Sequence, residues 1–188
     1  MRRAALLLLL LTCACIDREP SVLQRRAQFD RSGLSAQLLP ALPAGVVPAP
    51  AEAQGLFGGA VRLLAVVLDP EVPSPGNPVS ATFYFEVVEE PDDDYRIFVH
   101  VDDRRGEVER IIADHAPVGG AYPTSVWRKG EVIRDVFRFQ IPPYTAPGTS
   151  FELWTGLFSK DERLPLTNRE AVRGDPGSRL LATAFVAR

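Results

Sequence analysis

Apolar and polar residues alternate with a period of two along most of the chain after residue 56, which is the pattern of half-buried β-strands. Clusters of Pro, Gly, Asn and Asp separate the alternating runs and indicate turns. Seven runs are predicted to be strands: Gly59–Asp69, Val79–Val87, Tyr95–Asp102, Glu107–Ala113, Val132–Ile141, Ser150–Phe158 and Arg179–Val186. The pattern predicts an all-β fold, an antiparallel two-sheet sandwich of immunoglobulin-like or jelly-roll-like type with about seven or eight strands.

The alternation also predicts which face of a strand each side chain occupies. Asp135 shares its parity with Ile133, Phe137 and Phe139, and is therefore predicted to point inward. Because a buried carboxylate needs hydrogen-bond partners, we expect it to accept from backbone or hydroxyl groups around Thr124, or to pair with His115. Either contact would pin the long loop that precedes this strand.

That loop, Asp114–Glu131 (DHAPVGGAYPTSVWRKGE), is the most distinctive stretch of the sequence, and it allows two interpretations. Tyr122 and Trp127, together with Trp154 on a later strand, could stack on sugar rings while His115 contacts hydroxyls. Alternatively, Tyr122 and Trp127 fold back and plug one end of the core, which is the interpretation we favour. Tyr84 and Phe98 are predicted to lie on strand faces opposite the aliphatic ones, where they could extend an aromatic surface.

The N-terminus has the pattern of an export signal. Arg2 and Arg3 precede the apolar run Leu6–Leu11, which is too short to span a bilayer of about 30 Å as a helix. Residues 1–15 are therefore predicted to be a signal peptide. The stretch 11–15 resembles the lipobox of bacterial lipoproteins.

This resemblance implies that one of the two cysteines carries a lipid. Cys15, which follows Ala14, is the predicted acceptor and Cys13 is the runner-up; a plain secretory signal and a Cys13–Cys15 redox pair are the alternatives. Acyl chains would hold the protein on a membrane without a transmembrane helix. We expect a bacterial cell-envelope location, with the outer membrane favoured over the inner one because Ile16 is not acidic.

Composition defines the remaining organisation. Residues 16–55 are rich in Ala and Pro and predict a mostly disordered tether, with a short helix that Ser21 could cap, while residues 56–188 form the sandwich domain. The net charge is −3 and becomes more negative once a leader with Arg2 and Arg3 is removed. Such a chain has no basic surface for phosphates, so nucleic acid is not an expected partner.

Catalytic chemistry has little support in the sequence. There is no G-x-S-x-G motif, and His100 and His115 are the only histidines available to a triad with Ser125. A metal would draw on His100, Asp102, Asp114 and His115, an unspecific set. We therefore predict no catalytic residue, no metal site and no cofactor.

A second resemblance concerns the domain. The pattern D-H-x-P-x-x-G-x-Y-P-T-x-x-W-x-x-G-E at 114–131, followed by Ile133, Asp135, Gly156-Leu157-Phe158 and Arg163-Leu164-Pro165, resembles the extracytoplasmic β-sandwich appended to some bacterial membrane glycosyltransferases. The similarity covers roughly residues 58–186. It implies a sandwich outside the cytoplasm, near envelope glycan synthesis, and supplies no catalytic residues.

Together these features predict a lipid-anchored envelope protein that acts as a non-catalytic binding or assembly component. Its expected partners are the membrane, through the N-terminal lipid, and a polysaccharide or other envelope proteins. Glycan is the first ligand we expect. The alternatives are a structural or protein-interaction lipoprotein that docks through a sheet edge, and an enzyme whose site the sequence does not reveal.

Overall fold

Two antiparallel sheets pack face to face in the computed structural model, which describes residues 19–188. Among these residues there is one α-helix, α1 (Val22–Gln28). The strands are β1 (Leu38–Leu39), β2 (Leu56–Phe57), β3 (Val61–Asp69), β4 (Pro78–Val87), β5 (Arg96–Asp103), β6 (Ile111–Ile112), β7 (Val132–Gln140), β8 (Ser150–Ser159), β9 (Glu162–Arg163) and β10 (Leu180–Val186). The first sheet has the order β1-β7-β4-β3-β2; the second has the order β10-β8-β5-β6, with β9 on β8.

The predicted all-β antiparallel sandwich is confirmed, although it has ten strands rather than seven or eight. The additional strands β1, β2 and β9 are two residues long, too short to show a sequence period. The predicted strand Glu107–Ala113 shortens to β6, since Asp103 accepts hydrogen bonds from the N–H groups of Glu107 and Val108 and holds that stretch in a turn. The predicted signal peptide, with Cys13 and Cys15, lies outside the described residues.

The core lies between the two sheets and follows the predicted alternation. On β4, Val79, Ala81, Phe83 and Phe85 are all buried, and the inward residues of the other long strands meet them. Full burial of one large apolar side chain contributes about 1.5–3 kcal/mol. The intersheet layer is therefore the main source of stability.

The strand register decides which side chains face the core and which lie on the outer face of each sheet. Phe83 pairs with Asp135 in the first sheet, so Asp135 points into the core as predicted. In the second sheet, His100 pairs with Trp154 and Phe98 with Gly156. These last residues lie together on the outer face of that sheet.

Residues 19–55, named here the N-terminal strap, run along the sandwich, whereas the sequence predicted a mostly disordered tether. The predicted helix is present as α1, with a capping box formed by Ser21 and Gln24. Arg26 donates to Glu90 (2.7 Å) and to the Pro91 carbonyl (2.6 Å). Arg31 donates to the Tyr122 hydroxyl (3.1 Å) and to the Val126 carbonyl. These long-range charged contacts hold the N-terminal strap against the sandwich. Its Pro content limits regular secondary structure but does not leave the segment disordered.

The strap also covers the outer face of the first sheet. Leu39, Leu42 and Val46 pack on Tyr84, Ala65 and Val132. Tyr84 is consequently buried instead of forming part of an aromatic surface, because a neighbouring segment covers the face that alternation places outside.

Candidate functional site

The loop Asp114–Glu131, named here the plug loop, closes the core at one end of the sandwich. Tyr122 and Trp127 are 0% exposed. The Trp127 indole N–H donates to the Tyr122 carbonyl (3.0 Å), and the Tyr122 hydroxyl donates to Glu131 (2.7 Å). Neither ring can stack on a sugar in this arrangement. Of the two interpretations of Tyr122 and Trp127, the structure therefore agrees with closure of the core and not with ligand binding.

The fully buried carboxylate of Asp135 contacts the partly buried ring of His115, a residue of the plug loop. The His115 Nε2 atom lies 2.7 Å from Asp135 Oδ2, and the Val118 N–H donates to Asp135 Oδ1 at 2.6 Å. His115 Nδ1 lies 2.8 Å from the Ala113 carbonyl. Both ring nitrogens face acceptors, an arrangement that only the protonated imidazolium satisfies fully.

The charge of His115 follows from this geometry. Burial of the ring lowers the pKa of His115, but the hydrogen bond and the charge of Asp135 outweigh that effect and hold the pKa above its usual value. His115 is therefore engaged in structure, through the Ala113 carbonyl and Asp135, rather than directed toward a ligand.

Thr124 also holds the plug loop, but through partners other than Asp135. Its hydroxyl donates to the Asp93 carbonyl (2.7 Å) and accepts from the Tyr95 N–H (2.7 Å). The loop is therefore attached twice, to β7 through Asp135 and to the β4–β5 connection through Thr124. The predicted hydroxyl contact with Asp135 is absent because Thr124 faces that connection.

Trp154 lies on the outer face of the second sheet, away from Tyr122 and Trp127. The Arg179 guanidinium stacks over its ring at 4.8 Å, and Asp175 holds that arginine at 2.6 Å. The three aromatic residues considered for sugar stacking are therefore not brought together. A ligand at Trp154 would first have to displace Arg179.

The four residues considered for a metal do not converge either. His115 pairs with Asp135, and Asp102 pairs with Arg110 and Arg179. His100 Nε2 lies 3.8 Å from Asp114 Oδ1. Within residues 19–188, no group of three His, Cys, Asp or Glu side chains is arranged to hold a metal ion.

The strongest candidate site is a groove formed where the β8–β9 hairpin meets the outer face of the second sheet. Its larger pocket, about 420 Å³, includes Tyr95 and the hairpin residues Lys160, Asp161 and Arg163. A second pocket, about 160 Å³, shares these three hairpin residues and continues across the sheet face to the side chains of Phe98, His100, Asp114 and Phe158. The two pockets are named here the outer groove.

An arginine on an aromatic ring forms the floor of the outer groove. The Arg163 guanidinium lies 4.7 Å from the centre of the Phe98 ring, a cation–π contact, and donates to the Gly177 carbonyl (2.8 Å). Phe98 lies directly over Gly156, where an added Cβ would approach the ring to 2.5 Å. Glycine is thus required for the ring to lie flat on the sheet. Phe98 is buried, whereas the sequence predicted that it could extend an aromatic surface on the outer face of its strand.

His100 and Asp114 supply polar groups at the far end of the groove. Burial lowers the pKa of His100, and the nearby charge of Asp114 offsets only part of this effect. His100 is therefore neutral at neutral pH. Asp114 Oδ1 accepts from the Val99 N–H (2.8 Å), which fixes the carboxylate at the rim.

Sequence analysis missed Tyr95, Phe158, Lys160 and Arg163 as groove residues. It named Arg163 only within the pattern Arg163-Leu164-Pro165 and did not name Lys160. The only local sign was the short polar stretch after the β8 aromatics. Lys160 has φ 55° because it lies in the two-residue turn between paired Ser159 and Glu162, and tight hairpin turns require positive φ.

No family model matches the chain, and a comparison with curated proteins found no match. None of the helices among residues 19–188 is both long enough and apolar enough to cross a membrane.

Proposed function

We propose that the protein is a non-catalytic, lipid-anchored envelope component that binds glycan through the outer groove. The observation that carries this proposal is the mixed lining of the groove: half-buried Tyr95 and Phe158 rings lie beside charged side chains. Sugars present apolar ring faces and a girdle of hydroxyls. A site that offers both aromatic surface and directional polar groups matches this chemistry.

The polar groups of the groove are suited to hydroxyl recognition. The Arg163 guanidinium has no carboxylate within salt-bridge distance in the described chain, so its remaining N–H groups are available as donors. Asp161 and Glu162 on the exposed hairpin supply acceptors. Neutral His100 adds a ring nitrogen at the far end.

Glycan binding is tested by calorimetric titration with a panel of neutral oligosaccharides. Tyr95→Ala should weaken binding about 2- to 10-fold, because stacking on an aromatic ring contributes about 0.5–1.5 kcal/mol. Arg163→Ala should weaken binding as well, and a thermal unfolding measurement of this variant separates that effect from the loss of the Phe98 and Gly177 contacts. Tyr144→Ala removes a tyrosine that is 70% exposed outside the groove and should leave affinity unchanged. Absence of binding to every neutral glycan would refute the proposal.

The lipid anchor is supported by the export signal and the lipobox-like stretch 11–15. Metabolic labelling with an alkyne fatty acid should mark the wild-type protein and the Cys13→Ser variant, but not the Cys15→Ser variant, because the small Ala14 precedes Cys15. Loss of label in Cys13→Ser alone would reassign the acceptor. An unlabelled wild-type protein would contradict lipidation.

A further inference from the structure

The outer groove extends beyond its two pockets. A third pocket of about 210 Å³, formed mainly by the β4–β5 connection, shares the side chains of Tyr95 and Leu164 with the large pocket. It shares no residue with the pocket at His100. The large pocket therefore adjoins each of the other two, and the three together are named here the extended groove.

Tyr95 marks the junction between the large pocket and the third one. Its hydroxyl donates to Asp92 (3.0 Å), which fixes the ring across the groove, and burial together with Asp92 raises the pKa of Tyr95 to about 12. The phenol is therefore neutral and rigid. The same ring lines both pockets.

The charge of the extended groove selects among glycans. Seven carboxylate residues line its three pockets, against the two cations Lys160 and Arg163. Two of these acids are neutralised outside the groove, Glu89 by Lys129 and Glu90 by Arg26. The remaining acids still outnumber the cations, and this excess of negative charge repels an anionic ligand.

We infer that the extended groove binds a linear, uncharged glycan chain of about three sugar units, one in each pocket, rather than a single sugar or an acidic polysaccharide. This inference rests on the proposed glycan binding. A chain bound in the large pocket can continue into the His100 pocket and into the third pocket, since both adjoin the large one and share no residue with each other. The groove therefore recognises internal stretches of a polymer.

The test compares chain length and charge in the same titration. Oligomers of β-1,4-linked glucose and of N-acetylglucosamine with one to five units should gain affinity on the order of tenfold per unit up to the third, then level off, because each pocket adds contacts after the cost of association has been met. Galacturonic acid oligomers of the same lengths should bind much more weakly. Equal affinity for one and three neutral units, or equal affinity for the acidic series, would overturn the inference.

A charge variant separates this inference from the proposed function. Asp161→Asn combined with Glu162→Gln removes two negative charges from the exposed β8–β9 hairpin, where the fold does not depend on them. It should raise affinity for the galacturonic acid trimer several-fold, whereas affinity for the neutral trimer should fall slightly, because the amide oxygens are weaker hydroxyl acceptors than the carboxylates they replace. An unchanged preference would show that charge does not select the ligand. Absence of any neutral binding would instead refute the glycan proposal itself.

Discussion

Replacement of Trp127 by alanine should lower the free energy of unfolding by about 3–5 kcal/mol, the largest effect expected from a single substitution in this chain. The indole is fully buried, lies 6.2 Å from the Tyr122 ring and 6.3 Å from the Phe85 ring, and donates a hydrogen bond inside the plug loop. The loop cannot collapse into the space that is left, since Thr124 and Asp135 hold it on both sides. Chemical denaturation measures the loss.

Trp154→Ala is the matched control for this experiment. The same side chain is removed from a half-buried position on the outer face, where the lost contact with Arg179 is worth about 0.5–2 kcal/mol. Trp127→Ala should therefore cost clearly more than Trp154→Ala. Equal losses would show that the plug loop does not close the core.

Asp135→Ala should lower the free energy of unfolding by about 1–3 kcal/mol, because it removes the fully buried carboxylate that His115 contacts. The Val118 N–H also loses its acceptor. The plug loop should then become sensitive to limited proteolysis under conditions in which the wild-type loop resists. A variant with unchanged stability and unchanged protease resistance would contradict the pinning role.

Asp135→Asn separates charge from hydrogen bonding, since the amide oxygen can still accept from Val118. The pKa of His115 is raised in the folded protein, so the pair contributes its full stability below the unfolded value of about 6.5, and this contribution is lost as pH rises through the folded pKa. In Asp135→Asn that decline should flatten. The pKa of His100 is lowered in the folded protein, so its contribution to stability has the opposite pH dependence and decreases as pH falls below about 6.5. This contribution should be the same in the wild-type protein and in Asp135→Asn.

Local alternation was sufficient to predict the sandwich and one buried carboxylate. The inward position of Asp135 follows from its parity with Ile133 and Phe137, and His115 was one of the two partners that a buried carboxylate at this position was expected to find. Burial of Trp127 was likewise one of two stated interpretations. In each case the determining information lies within about twenty residues of sequence.

The strap and the outer groove could not be predicted in this way, because they depend on contacts between distant segments. Arg26 finds its carboxylate 64 residues later in the chain. Arg163 reaches Phe98 only because β8 pairs with β5 in one particular register. Whether Tyr84 is exposed depends on a covering segment with no periodic pattern of its own.

The position of the strap has a consequence for how far the protein can reach from a membrane. With the lipid on Cys15, only residues 16–21 separate the anchor from α1, and six extended residues span at most about 20 Å. Arg26 at the end of α1 holds Glu90, which lines one end of the extended groove. The proposed groove would therefore lie close to the membrane surface. The glycans that it could bind would be those that run close to the lipid headgroups.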